Sequence, residues 1–329
     1  MKDKILHLLK ENEGDFISGQ LISKNLGVSR TAIWKYINSL KDAGYQIESI
    51  SKRGYRLLSS PDLLTFEEIS ANLNTSCIGR NIMYFQTIDS TNNKAKELAN
   101  ASDNGTVIIS EEQTSGRGRL GRAWKAPKFK GIWMSIILKP DIDPPNIPKI
   151  TQVGAAAVIK TLNDFNINAY VKWPNDIILN NKKVCGILTE MSGELNRINY
   201  VVMGIGINVS IKKEEFPESL RDTATSLICE TGNELKRKDL VTKLLNNFEI
   251  LYNEFAYKND ITNSIKICRE NSILIGKEIR VVKINNELFG KAIDLNEAGE
   301  LVVQYADGTI ENIVSGEVSI RGLHGKYVP

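Results

Sequence analysis

The 329-residue chain is short of the side chains that do covalent chemistry unaided. It has two histidines, His7 and His324, so a Ser/His/Asp or Cys/His nucleophile–base pair has almost nothing to be built from. Its four cysteines, Cys77, Cys185, Cys229 and Cys268, stand alone and never at metal-ligand spacing, which argues against a structural zinc site and a disulfide-stapled fold. Long apolar runs are missing too: stretches such as 132–138 fall far below the roughly 20 residues that cross a bilayer. The N-terminus opens on Lys2, Asp3 and Lys4 with no apolar secretory core, and a cytoplasmic location without a membrane partner is expected. What is present, 42% hydrophobic and 25% charged residues, belongs to a globular protein. Its length suits two ordinary domains and a small third.

Charge is small in sum and uneven in place. The net +3 resolves into +4 for residues 1–58, with ten Lys/Arg against six Asp/Glu, and −1 for the remainder. That basic segment reads as three helices and a hairpin. Ile5, Leu6, Leu8 and Leu9 mark the inner side of a first helix, which the cluster Glu13, Gly14, Asp15 stops. A second helix starts at Ser18, carries Leu21, Ile22 and Leu26, and ends at Gly27. A third has Ser29 as its N-cap and Ile33, Ile37 and Leu40 on its inner face; Trp34 reads as a core or helix-packing residue and not as one that stacks on bases. Two helices joined this tightly form a helix-turn-helix, with Ser29, Arg30, Thr31 and Lys35 on the free face of the second. Strands over 45–50 and 55–58 enclose Ser51, Lys52, Arg53 and Gly54, a basic wing. Polar and basic groups at a helix N-terminus suit the major groove, and Lys52 and Arg53 suit the adjoining phosphates. Protein docking is the other use of such a module.

The run Leu58, Ser59, Ser60, Pro61 breaks the pattern, and Thr65, Phe66, Glu67, Glu68 reads as a capping box. The expected domains are 1–60, a winged helix-turn-helix; 61–272, an α+β mixed sheet with helices on one side; and 273–329, a small β-barrel. In the body, strands are expected over 81–87, 105–111, 131–138, 168–173, 184–191 and 199–208, and helices over 147–164 and 236–258. Turn signals about ten residues apart, at Asn285 and Asn286, at 296–299 and at 306–308, set the rhythm of the barrel.

Four stretches of the body carry chemistry. Gly116, Arg117, Gly118, Arg119, Leu120, Gly121 and Arg122 contain a literal G-x-G-x-x-G. A dinucleotide fingerprint must open a helix, whereas here Pro127 and a strand follow, so a glycine-rich lid whose arginines fork onto a polyanion is the better reading. Lys172, Trp173, Pro174, Asn175, Asp176 and then Lys183 make a turn that gathers two amines and a carboxylate, able to hold phosphate and magnesium; a plain charged hairpin is the alternative. Gly204, Gly206 and Asn208 end a strand where a ligand can come close, with an amide fit for an adenine edge. Ser90 and Thr91, ahead of a helix over 93–100, supply a cap and donors for a small polar ligand such as a ureido group.

In this order behind a winged helix, these motifs resemble the bifunctional biotin protein ligase and biotin operon repressor family over nearly the whole chain; Gly316, Glu317 and Arg321 in the C-terminal domain match as well. The resemblance implies an SH3-like barrel and a reaction in which ATP activates biotin as biotinyl-5′-adenylate before transfer to a lysine of a biotin carboxyl carrier protein. It implies ATP and Mg²⁺ as cofactors, operator DNA as a partner and a homodimer once the adenylate is bound. Ser90, Thr91, Asn92, Gln113, Arg117, Gly118 and Arg119 would hold biotin, and Lys183 its carboxylate and the α-phosphate. Arg117, Arg119, Arg122, Trp124, Asn208, Lys183 and Arg321 would serve the nucleotide, with Lys183, Arg119, Asp176 and Lys172 catalytic and Asp176 assisting magnesium or the incoming amine. Leu120 departs from the more basic loop of some relatives. Adenylation needs no enzyme nucleophile, in keeping with the scarcity of histidine. The rival readings are a biotin-sensing DNA-binding regulator without transferase activity, and a ligase for another acyl group such as lipoate.

Overall fold

The computed structural model describes residues 1–12, 14–194, 197–283 and 287–314, and the backbone of 319–321. Glu13, Asn285, Asn286, Gly316, Glu317 and His324 lie outside the described residues, as does the side chain of Arg321. The chain divides into two units, Met1–Ala71 and Asn72–Pro329.

In the first unit, α1 (Lys2–Glu11), α2 (Gly19–Leu26) and α3 (Arg30–Asp42) bury Ile5, Leu6, Leu9, Ile22, Ile33, Ile37 and Leu40 in a common core. Ser18 and Ser29 cap α2 and α3, their hydroxyls accepting from the backbone N–H of Leu21 at 3.1 Å and of Ala32 at 3.2 Å. The antiparallel wing is β1 (Gln46–Ile50) and β2 (Gly54–Ser59), and Ile17 adds a further rung by exchanging two 2.9 Å backbone hydrogen bonds with Tyr55. Gly54, at φ 110°, turns the chain against the Ile17 carbonyl, where a Cβ would overlap backbone. Two expectations change. Trp34 is 57% exposed on α3, so it does not pack into the core. Ahead of α4 (Phe66–Ile69), the Thr65 side chain makes no cap hydrogen bond; Glu68 is instead buried against Lys10 Nζ at 2.8 Å and the Tyr45 hydroxyl at 2.6 Å. Burial and that carboxylate raise the Tyr45 pKa.

The second unit holds a seven-stranded sheet in the order β3-β4-β5-β9-β8-β7-β6, formed by β3 (Ile82–Phe85), β4 (Val107–Ser110), β5 (Gly131–Leu138), β6 (Tyr170–Lys172), β7 (Asp176–Leu179), β8 (Lys182–Glu194) and β9 (Arg197–Asn208). Only β3 and β4 run parallel, so the sheet is mixed as expected. The short β7 is an addition to the expected strands. The pleat sends alternate residues of β8 and β9 to opposite faces. Met203 and Ile187 meet Gly154 of α6 (Ile150–Asp164), while Gly204 meets Asn92 of α5 (Thr91–Leu98). Helices therefore cover both faces, and the expectation of helices on one side is corrected: α6 lies on one, α5 on the other.

After α7 (Leu227–Thr231), α8 (Arg237–Lys258) and α9 (Thr262–Glu270), the chain forms an antiparallel sheet from β10 (Glu278–Val282), β11 (Glu287–Leu295), β12 (Leu301–Tyr305), β13 (Ile310–Ile313) and β14 (Ser319–Arg321). Its order, β13-β12-β11-β10-β14, leaves β13 and β14 at opposite edges, so among the described residues the sheet is open where a closed barrel was expected. Among the described residues, no helix is long and apolar enough to cross a membrane.

Candidate functional site

Glycine makes the floor of the site. Register sets Gly186 of β8 opposite Gly206 of β9, and Gly204 opposite both Leu188 of β8 and Ser135 of β5. With no side chains there, other groups descend onto the sheet. A Cβ on Gly204 would overlap Asn92 Oδ1; one on Gly206 would come within 2.9 Å of the Trp124 indole; one on Gly186 would reach Lys183 Nζ at 3.0 Å and Trp124 at 3.1 Å.

At one end the polar groups are already bonded to one another. Ser90 caps α5, which places Thr91 and Asn92 inside the sheet face. Gln113 Oε1 accepts from the Thr91 N–H at 2.7 Å and the Thr91 hydroxyl at 3.0 Å. Ser135 Oγ donates to Asn92 Oδ1 at 2.6 Å, and Asn92 Nδ2 donates to Glu190 Oε2 at 2.8 Å. Lys96 Nζ meets the other Glu190 oxygen at 2.8 Å. Burial pushes the Glu190 pKa up, but the hydrogen bonds from Lys96 and Asn92 outweigh it and hold the carboxyl below its ordinary value.

The other end is cationic. The turn from β6 to β7, with a cis bond between Trp173 and Pro174, pairs Lys172 with Asp176 across the strands. Asp176 Oδ1 lies 2.5 Å from Lys183 Nζ, which in turn sits 5.1 Å from the Trp124 ring centroid. Lys172 is buried, 4% exposed. The Gly/Arg loop is a narrow hairpin: Gly118 N–H donates to the Arg122 carbonyl at 2.7 Å and Trp124 N–H to the Gly116 carbonyl at 2.8 Å. Arg119 Nη1 donates from this hairpin to Asn175 Oδ1 at 3.0 Å, while Asn175 Nδ2 holds the Ile187 carbonyl at 2.9 Å. Burial lowers the Arg119 pKa, against the pull of Asp176.

One cavity of about 590 Å³ joins both ends, within the range of ordinary small-molecule sites. Ser90, Thr91, Asn92 and Gln113 line it, with Arg117, Gly118, Arg119, Arg122 and Trp124 from the hairpin and Lys172, Asp176, Lys183 and Asn208 from the strands. Asn208 offers less to a purine than expected, because it is 3% exposed and its Nδ2 donates to the Thr225 carbonyl at 2.9 Å. Arg321 pairs through β14 with Arg280; its side chain is outside the described residues.

Phe216, Leu220, Thr223 and Ala224 also line the cavity and were not anticipated. They arrive because the 223–225 backbone pairs alongside Lys183, with bonds of 2.8 and 2.9 Å. The signal in the sequence was indirect: Ser226 and Gly232 cap and close α7, which fixes where that segment returns to the sheet.

In the first unit, Ser29, Arg30, Thr31, Lys35, Lys52 and Arg53 are all exposed. The Ser29 hydroxyl is engaged as the cap, Arg30 Nη2 lies 3.4 Å from Gln20 Oε1, and the Arg53 guanidinium stands 4.3 Å over the Phe16 ring.

Residues 83–208 match the biotin/lipoate A/B protein ligase family, residues 274–321 the biotin protein ligase C-terminal domain and residues 2–56 a helix-turn-helix (HTH) domain. The chain is 38% identical to the bifunctional ligase/repressor BirA of Bacillus subtilis over 97% of its own length and 98% of that protein's. It is 28% identical to the bifunctional ligase/repressor BirA of Escherichia coli, with 97% and 96% covered. Among solved structures, the biotin protein ligase from Aquifex aeolicus in complex with biotin and ATP superposes with a TM-score of 0.66 at 30% identity, covering 74% of this chain and 99% of that one. With a ligase body and an HTH unit in one polypeptide, aligned end to end with such proteins, the chain belongs to the biotin/lipoate A/B protein ligase family, among its bifunctional ligase/repressors.

Proposed function

We infer that the cavity joins biotin to ATP and then to protein, and that the winged unit represses transcription in response. The observation that carries this reading is a single cavity with a hydrogen-bonded polar end and a cationic end either side of a glycine floor. Biotin is an uncharged bicyclic head on an acid tail, and it matches that polarity. The head belongs with Ser90, Thr91, Asn92 and Gln113, and the tail runs over Gly204 and Gly206 toward Lys183. In the first step the biotin carboxylate attacks the α-phosphorus of ATP and pyrophosphate leaves. In the second, the amine of an acceptor lysine attacks the carbonyl of the mixed anhydride and AMP leaves. Lys183, Arg117, Arg119 and Arg122 offset charge on carboxylate and phosphate, Trp124 flanks the base, and the hairpin keeps water from the anhydride.

Magnesium fits this donor set as a companion of the nucleotide. Among the described residues no group of three or more His, Cys, Asp or Glu side chains comes together, and Asp176 is the one carboxylate lining the cavity. An ion held by the triphosphate oxygens with Asp176 as its protein ligand would offset the triphosphate charge. Asp176 and Lys172 are otherwise placed to orient the incoming amine.

The acceptor is a biotin carboxyl carrier protein. The corepressor is biotinyl-5′-AMP, whose binding favours a homodimer on a palindromic operator, in the cytoplasm. The C-terminal sheet belongs to an SH3-like fold, and the working division is 1–60, 61–272 and 273–329. The test combines protein, biotin, ATP, Mg²⁺ and a carrier domain, reading acceptor mass and retention of operator DNA together. An acceptor that gains no biotin while biotin still promotes DNA retention would replace this reading with a sensor that does not transfer.

A further inference from the structure

Helix α3 buries Ile33, Ile37 and Leu40 and turns Arg30, Thr31, Trp34 and Lys35 outward. Residues four apart are neighbours on a helix surface, so Arg30 lies beside Trp34 and Thr31 beside Lys35. The indole is thus a large apolar patch set among cations, with 57% of its surface exposed. It lies at the fifth position of the helix, in the N-terminal half that reaches base edges when such a helix enters the major groove. Exposing an aromatic ring forgoes much of the gain from burying it, and the positive charge beside it on α3 suits a polyanion. Inside an intact major groove the bases are stacked and paired. The one apolar group presented there is the thymine 5-methyl.

We propose that Trp34 reads sequence by packing its indole on a thymine methyl of the operator, an inference that rests on the DNA-binding reading of this unit. Arg30, Lys35 and the wing then hold the duplex through phosphates and polar base edges, while Trp34 supplies apolar discrimination.

The full chain, with biotin, ATP and Mg²⁺, selects duplexes from a random pool, and each thymine of the selected site is replaced in turn by deoxyuridine. One thymine per half-site should weaken wild-type binding about fourfold, the worth of one buried methyl-sized group. Trp34→Ala should bind the thymine duplex about tenfold more weakly, be indifferent to that deoxyuridine, and keep the wild-type dependence on salt because no phosphate contact is lost. Trp34→Phe should retain most of the methyl sensitivity, and unchanged circular-dichroism melting shows that both variants are folded. The proposal is overturned if Trp34→Ala binds as wild type does, if it stays as sensitive to every deoxyuridine as wild type, or if its loss of binding tracks loss of dimer in sedimentation. Failure of the wild-type chain to select any sequence would instead remove the operator reading itself.

Discussion

The two ends of the cavity use polar groups in opposite ways. Around Asn92 the donors and acceptors of Thr91, Gln113, Ser135 and Glu190 already bond one another, so the arrangement is held before any ligand arrives. Around Arg119 the charges sit on a hairpin, from which Arg119 Nη1 donates to Asn175 Oδ1. A preorganised pocket selects by shape and hydrogen bonding, at little ordering cost on binding. A charged flap gains its partners from the ligand and holds a reactive intermediate only as long as those contacts last. The first end is suited to recognition, the second to retention.

Substitution of the floor glycines should break that contrast most sharply. A methyl at Gly204 collides with Asn92 Oδ1, and Asn92 cannot retreat because Ser135, Glu190 and the Leu188 carbonyl hold it. Gly204→Ala is expected to lower kcat/KM for biotin by about 100-fold, roughly 2.7 kcal/mol, mainly through KM. Steady-state adenylation with ATP saturating measures it, and a loss confined to kcat would count against the preorganised end. A methyl at Gly206 meets the indole of Trp124, on the hairpin side, at 2.9 Å. A ring that can shift yields, so Gly206→Ala should cost only about tenfold, and in KM for ATP more than for biotin.

Arg119→Gly tests the retentive end. Loss of the guanidinium and its Asn175 contact should leave adenylate formation within about threefold of wild type and speed adenylate escape about tenfold, the worth of one charge-assisted contact. Labelling of bystander lysines on a protein that is not an acceptor reports the escape. Wild-type retention in this variant would show that the hairpin does not hold the intermediate.

The same contrast explains what could be read from sequence. Chemistry-bearing clusters announced themselves: the Gly/Arg run, Lys172 to Asp176, and Gly204 to Asn208 all lie on one cavity because they stand at strand ends and turns. Long elements were legible as well, since the 131–138 strand and the helices over 150–164 and 237–258 have strong apolar patterns. The apolar wall from Phe216 to Ala224 was not, because its place depends on backbone pairing with Lys183, which composition does not encode. Neither was the open edge of the C-terminal sheet, a matter of which strands pair. Trp34 was misread because an aromatic at helical spacing usually packs inward, and here exposure is the informative fact.

The smallest expected effect comes from acid. Glu190 has its folded pKa below the ordinary carboxylate value through Lys96 and Asn92, so its contribution is complete above the ordinary value and fades as pH falls through the folded one. Glu190→Gln keeps an oxygen for Asn92 Nδ2 but loses the ion pair with Lys96, which is partly exposed. At neutral pH the variant should be less stable by about 1 kcal/mol or less, a shift of some 2–4 °C in the melting of the ligase body. As pH falls below the ordinary carboxylate range wild type should converge on the variant, because protonation removes the same ion pair. Melting curves with and without biotin read this directly. Biotin should raise both curves alike if Glu190 serves only to orient Asn92, and a biotin shift that vanishes in the variant at neutral pH would show that the carboxylate itself meets the ligand.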